Sequence, residues 1–178
     1  MEDTNYCITF AGPIGCSKSP VAHYISMAFG WPLFSNDAVR HEVMEDTRNP
    51  ILDIKLLDQR IAERAKLITQ KQRSFIYDAS QDRHWDRLIA LFVKTPPYTF
   101  GIISFDLSRG FYEEILRAKQ YDSTLLRVDK LLASHNEFVR KHKDSIICSI
   151  TDAMFQDRLV IAEEAVRKFI SDKTNNIQ

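Results

Sequence analysis

Neither sign of charge is in excess in this chain: 24 lysines and arginines stand against 24 aspartates and glutamates. A general nucleic-acid binder carries a basic excess, so that class is disfavoured, although a local basic groove is compatible with a balanced total. Long apolar runs are also missing. None approaches the roughly 20 residues that cross a bilayer, and Met1-Glu2-Asp3 does not read as the start of a signal peptide. No membrane partner is expected, and a cytoplasmic setting is. Cysteine is scarce: Cys7, Cys16 and Cys148 show no paired spacing, which excludes a disulfide framework and suits a reducing compartment. His23, His41, His84, His135 and His142 lack the His-Glu-x-x-His spacing of a metal site. Most of them read as surface or half-buried residues. There is no internal repeat and no low-complexity tract.

What is present is enough for one domain, residues 1–178, with an ordinary apolar share of 44%. Strand-like and helix-like segments alternate. Strands are expected at 6–11, 74–77 (ending at Asp78), 99–107 and 145–150, with a brief one near 31–34. Helices are expected at 18–29, from Ser35 or Asn36 to about Asp46, and at 52–71, 82–93, 109–120, 124–142 and 154–170. Pro96-Pro97 is expected to break the chain, and the polar tail after Ser171 to fray. Such alternation predicts an α/β fold with a parallel sheet covered by helices on both faces. Ligands in such sheets bind beyond the carboxyl ends of the strands. The loop after residue 11, Asp78 and Asp106 all fall there.

The most informative segment is Gly12-Pro13-Ile14-Gly15-Cys16-Ser17-Lys18-Ser19, set between a strand and an amphipathic helix. A phosphate-binding loop asks for Gly, four residues, Gly, Lys and Ser or Thr. Gly12, Lys18 and Ser19 fit. Ser17 stands where the second glycine is expected, which keeps open a loop that binds no nucleotide. Backbone N–H groups turned inward by glycines can cradle phosphate oxygens. A helix starting near Lys18 aims its positive end at the same place. Lys18 offers a mobile cation to the β- and γ-phosphates, and the Ser19 hydroxyl a ligand to Mg²⁺. Cys16 lies where a helix terminus lowers thiol pKa values, but a small side chain that simply fits is the better reading.

Further on, Ser35-Asn36-Asp37-Ala38-Val39-Arg40 opens a helix, with Asp37 and Arg40 three residues apart. The carboxylate could orient or deprotonate an acceptor hydroxyl, and the guanidinium could hold a phosphate on the acceptor. Equally, Asp37 could cap the helix and Arg40 be a surface charge. Asp78 at a strand end could likewise cap a turn or reach Mg²⁺ through water. Asp106, beside Ser108-Arg109, could cap the next helix.

The combination of residues 12–20, Gly12 to Pro20, with 35–40 resembles P-loop kinases related to the kinase domain of polynucleotide kinases. Zeta toxins and gluconate-type kinases are more distant relatives. The resemblance implies a P-loop NTPase three-layer fold with a parallel five-stranded sheet and a helical lid, here about 109–142. It implies ATP held by residues 12–20 and Mg²⁺ held by Ser19 and Asp78, since Tyr77-Asp78-Ala79-Ser80 matches the family's strand end. It implies an Asp37 general base and an acceptor-facing Arg40. It also implies a lid cation, for which Arg109, Arg117, Lys119 and Arg127 are available; Arg117 and Lys119 sit nearest the family's spacing. The expected activity is phosphoryl transfer from ATP to a hydroxyl-bearing acceptor: a small molecule, a nucleoside or a nucleic-acid 5′ end. No obligate protein partner is implied. The rival reading is a nucleotide-binding switch or weak ATPase, which has no need of an acceptor base at Asp37.

Overall fold

The structure, a computed structural model, describes residues 5–92 and 98–175. The expected Pro96-Pro97 break, Met1-Glu2-Asp3 and the end of the tail lie outside the described residues. The first strand, β1 (Asn5–Ala11), is buried along almost its whole length. This is the pattern of a central parallel strand covered on both faces. Helix α1 (Lys18–Phe29) follows and stops at Gly30, whose left-handed φ of 63° closes its last turn. β2 (Leu33–Ser35) leads directly into α2 (Asn36–Thr47), where the Ser35 hydroxyl accepts from the Ala38 N–H. α3 (Ile54–Lys71) is capped by the Asp53 carboxylate. Then come β3 (Phe75–Ser80), α4 (Trp85–Phe92), β4 (Tyr98–Phe105), α5 (Arg109–Ala118), the one-turn α6 (Asp122–Leu125) and α7 (Val128–His142). β5 (Ile146–Ile150) and α8 (Arg158–Asn175) complete the fold.

All neighbouring strands are parallel, in the order β2-β3-β1-β4-β5. Side chains alternate between two apolar layers. Ile8 and Phe10 of β1 and Ile76 of β3 join Val21 and Ile25 of α1 and Ala162 and Val166 of α8. Cys7, Phe75 and Tyr77 point the other way, to Val39, Ile61, Ala65, Leu88 and Phe92 of α2, α3 and α4. Full burial contributes about 1.5–3 kcal/mol for each large apolar side chain. These two layers therefore fix the strand ends on which the polar residues sit.

Several boundaries differ from expectation, each for a local reason. β3 runs on to Ser80, so Asp78 lies within the strand and not at its end. β1 and β3 slip register there: Thr9 pairs with Tyr77 but Phe10 with Ser80, while Ser35 of β2 pairs with Asp78. The slip leaves Asp78 without a β1 neighbour and sets it beside the start of α2. Residues 82–84 form a turn, and α4 begins at Trp85. β4 stops at Phe105 because its partner β5 ends opposite it at Ile150, whose carbonyl takes the last bond, from the Asp106 N–H (2.9 Å). The expected 124–142 helix is two pieces. α8 starts at Arg158 and continues past Ser171 to Asn175, with the Thr174 hydroxyl bonded back to the Ile170 carbonyl (2.9 Å). No described helix is long and apolar enough to cross a membrane.

Candidate active site

The loop between β1 and α1 has its carbonyls tied back. Ser80 Oγ and Lys18 Nζ donate to the Gly12 carbonyl (2.9 and 2.8 Å), and Lys18 Nζ also to that of Pro13 (2.6 Å). The Tyr112 hydroxyl of α5 donates to the Ile14 carbonyl (2.6 Å) and Lys119 Nζ to that of Gly15 (2.7 Å). Among the described residues, the N–H groups of Ile14, Gly15 and Ser17 have no protein acceptor. A loop with engaged carbonyls and free amides is a cradle for an anion. Ser17 takes the left-handed φ of 85° that the second glycine usually supplies. A non-glycine residue there is strained by roughly 1–2 kcal/mol. Its hydroxyl, however, accepts from Arg158 Nε at the start of α8 (3.0 Å).

Gly12 has no such latitude. Its φ is 144°, and a Cβ there would lie 2.7 Å from Cys16 Sγ and 3.0 Å from Phe105 Cβ. Gly12→Ala is therefore expected to destabilise the fold by about 2 kcal/mol through strain and overpacking. That corresponds to a thermal unfolding midpoint lower by roughly 4–8 °C, read by calorimetry. Cys16 is fully enclosed beneath the loop, and burial pushes its thiol up despite Lys18 and Lys119 nearby. It is a small side chain that fits, not an activated thiol.

A cleft of about 400 Å³ opens over the loop at the carboxyl ends of the strands. Ile14, Gly15, Ser17, Lys18, Ser19 and Pro20 form its floor. Asn36, Asp37, Asp78, Arg83 and His84 line it, together with Lys119 and Tyr121. Ser19 Oγ donates to Asp78 Oδ1 (3.2 Å). Burial raises the Asp78 carboxyl; the Ser19 hydroxyl and Lys18 offset it in part, and Asp37 adds to it. Two oxygen donors side by side match what Mg²⁺ takes from a protein, which is one or two oxygens beside phosphate and water ligands. Among the described residues, no three His, Cys, Asp or Glu side chains form a metal cluster. Asn36 is fixed by the Tyr77 hydroxyl, which donates to its Oδ1 (3.0 Å). Ser35 supplies the cap, leaving the exposed Asp37 carboxylate free to face the cleft. The capping role considered for Asp37 is thus taken by its neighbour.

Two expected side chains are not brought to the cleft. Arg40 is exposed one turn along α2 and outside the lining, because the turn that faces the cleft is the first one. Arg117 is exposed and paired with Glu113 on its own helix (2.8 Å). Lys119, two residues on, is the one that reaches the loop. Burial, with Lys18 and Arg158 close by, pulls its ammonium below the usual value. Three cations around one loop repel each other, and a polyphosphate relieves that repulsion. Asp106 does not cap α5; the Ser108 hydroxyl does. No local pattern singles out Arg83, Arg158, Asp82 or Tyr121. His84 is kept below its ordinary pKa by burial and by Arg83 and Arg87.

A parallel sheet in the order β2-β3-β1-β4-β5, a phosphate-type loop from β1 to α1, and a β3 carboxylate beside the loop serine define the P-loop kinase fold. The chain is similar to a gluconokinase from Sinorhizobium meliloti 1021, with a TM-score of 0.64, 14% identity and coverage of 97% of this chain and 98% of that one. It is similar to shikimate kinase from Acinetobacter baumannii in complex with shikimate, with a TM-score of 0.55, 12% identity and coverage of 96% of each chain. A structure of the PezAT chromosomal toxin-antitoxin system of Streptococcus pneumoniae is also similar, with a TM-score of 0.61 at 8% identity, over 85% of this chain and 70% of that one. At such identities the likeness is one of fold. No family model matches the sequence, and no curated protein does.

Proposed function

We propose that the protein is an ATP- and Mg²⁺-dependent kinase that transfers the γ-phosphoryl group to an acceptor hydroxyl. The observation that carries this reading is the convergence of Lys18, the Ser19–Asp78 pair and Asp37 on one cleft. Phosphoryl transfer asks for placement and charge stabilisation more than covalent chemistry. The loop amides and Lys18 bind the β- and γ-phosphates. Lys18 reaches them by leaving the Gly12 and Pro13 carbonyls. Ser19 and Asp78 are the residues that would hold Mg²⁺, which when bound neutralises charge on the phosphates. Asp37 accepts the proton of the attacking hydroxyl. Lys119 takes the lid-cation role expected of Arg117, and Arg83 the anion-holding role expected of Arg40. The kinases of gluconate and shikimate with this fold favour a small-molecule acceptor over a nucleic-acid end, and the size of the cleft agrees. Three free thiols suit a reducing, cytoplasmic setting.

Incubation with γ-labelled ATP and Mg²⁺ against sugars, nucleosides and 5′-hydroxyl oligonucleotides tests the reading. Label should pass to one class of acceptor. ATP binding with no transfer to any acceptor would leave the switch reading in its place.

The closure expected of residues 109–142 narrows to the stretch around the α5–α6 turn. Tyr112 and Lys119 touch the loop there, and Tyr121 lines the cleft. Hydrogen exchange with a non-hydrolysable ATP analogue is expected to slow the amides of roughly 115–127, as a closing lid excludes water. Equal exchange with and without the analogue would remove the lid.

A further inference from the structure

One buried charge cluster lies outside the groups assigned to transfer. His135 of α7 is only 1% exposed. Its Nδ1 is 3.2 Å from Asp82 Oδ1 and its Nε2 is 2.8 Å from Asp106 Oδ1. A neutral imidazole has one N–H and cannot donate to both carboxylates; an imidazolium can. Asp82 in turn receives the Gly12 N–H on both oxygens (3.0 and 3.2 Å). Asp106 receives the Ser104 hydroxyl (2.6 Å). One continuous chain of hydrogen bonds therefore runs from the first glycine of the loop, through the turn after β3 and α7, to the end of β4.

We propose that His135 is a positioning residue for the phosphate loop. As an imidazolium between Asp82 and Asp106, it holds the Asp82 carboxylate against the Gly12 N–H and so fixes the first turn of the loop. This rests on the phosphate-loop reading of residues 12–19. The Asp82 side chain is nearly buried, 5% exposed. Without the imidazolium it is a desolvated carboxylate short of a cation, which such a site tolerates poorly. Arg83, Arg127 and Lys130 line the adjoining groove with it and offer it a place to turn outward. Gly12, held at φ 144°, would then lose its anchor.

The groups facing His135 are Asp82 from the turn after β3 and Asp106 and Ser104 from the end of β4. Behind them lie the Cys16 thiol on the Asp82 side, Ser149 of β5 on Asp106, and Asp152 across the groove shared with Asp106. On α7 itself its neighbours along the buried stripe are Val128, Leu131 and Phe138. Burial opposes charging the ring, but the bonds to Asp106 and Asp82 outweigh it and raise the His135 pKa from 6.5 to about 9. The folded value is the higher one. The contribution is therefore complete below about pH 6.5 and lost as pH rises through about 9.

The chain has five glycines, so selective ¹⁵N-glycine labelling gives a spectrum in which Gly12 can be followed alone. Its amide signal is expected to move between about pH 7 and about pH 10, with a midpoint near that of His135. In His135→Gln the signal should be displaced at neutral pH and show no such step. The variant should bind Mg·ATP about tenfold more weakly by calorimetry. If His135→Gln does not fold, Asp82→Asn decides. Asparagine still accepts the Gly12 N–H but no longer charges the ring, so the step should move down by at least about one pH unit. A Gly12 signal that stays flat in a protein that binds Mg·ATP overturns the positioning role alone. So does His135→Gln with undiminished affinity. A titrating Gly12 signal in a protein that binds no Mg·ATP overturns the kinase reading and leaves the clamp standing.

Discussion

Lys18→Ala is expected to weaken Mg·ATP binding by tenfold or more, and to lower the rate of transfer by roughly 10²–10³. The ammonium is the mobile charge of the loop. It now donates to the Gly12 and Pro13 carbonyls, and it has the reach to follow the β- and γ-phosphates when they arrive. Alanine removes that charge but leaves Gly12 tied to Asp82 and Ser80 and the apolar side of α1 packed through Val21, Ala22 and Ile25. The fold should lose about 1 kcal/mol, the order of a hydrogen bond left to water. Calorimetric titration with Mg·ATP, beside a thermal melt of the same sample, separates the two effects. A variant that melts normally and binds ATP as well as the parent would return the loop to the reading that Ser17 kept open.

Parts of this arrangement were legible in the sequence because they are set by local rules. β1, the loop and α1 follow from an apolar run, glycines and an amphipathic stretch at fixed spacing, and α1 falls at 18–29 as expected. The five strands and their alternation with helices follow from composition along the chain. Asp37 could be placed at a helix start, where it is found, and Asp78 on its strand, although that strand runs two residues further than the local apolar run suggests. What failed depends on distance in sequence. Arg158 reaches Ser17 across 141 positions, and nothing near Arg158 marks it as a loop partner. Whether Arg117 or Lys119 faces the loop depends on where α5 ends, and it ends at Ala118, so that Lys119 leaves the helix axis at the loop. His135 did carry a readable sign. It shares a stripe with Val128, Leu131 and Phe138 at spacings of three and four, and a histidine on an apolar helix face must find partners when buried. Its two carboxylates, 53 and 29 positions away, could not be read from that stripe.

Asp37→Asn separates a kinase from a nucleotide switch. General-base effects are on the order of 10²–10⁴ in rate, so with its true acceptor the asparagine variant should lose at least the lower bound. Binding of Mg·ATP should change by less than about threefold, because Asp37 lines the cleft from the first turn of α2 and is not one of the loop residues that meet the phosphates. Stability should hardly move. Ser35 caps α2, and the Asp37 side chain is exposed. What it adds is a favourable charge in the first helical turn, worth about 0.3–1 kcal/mol. Removing that charge also relieves Asp78, whose carboxyl Asp37 helps to raise. The substitution also takes one negative charge from beside the Mg²⁺ position, so a small loss of affinity for Mg²⁺ would fit, whereas a large loss would not. Initial rates against ATP and acceptor concentration, with calorimetry for ATP alone, give the two numbers needed. Transfer unimpaired by the substitution would take Asp37 out of the chemistry. An equal fall in ATP affinity and melting temperature would make it part of the scaffold. A fall in rate alone, at constant ATP affinity, is what a carboxylate aimed at an acceptor hydroxyl requires.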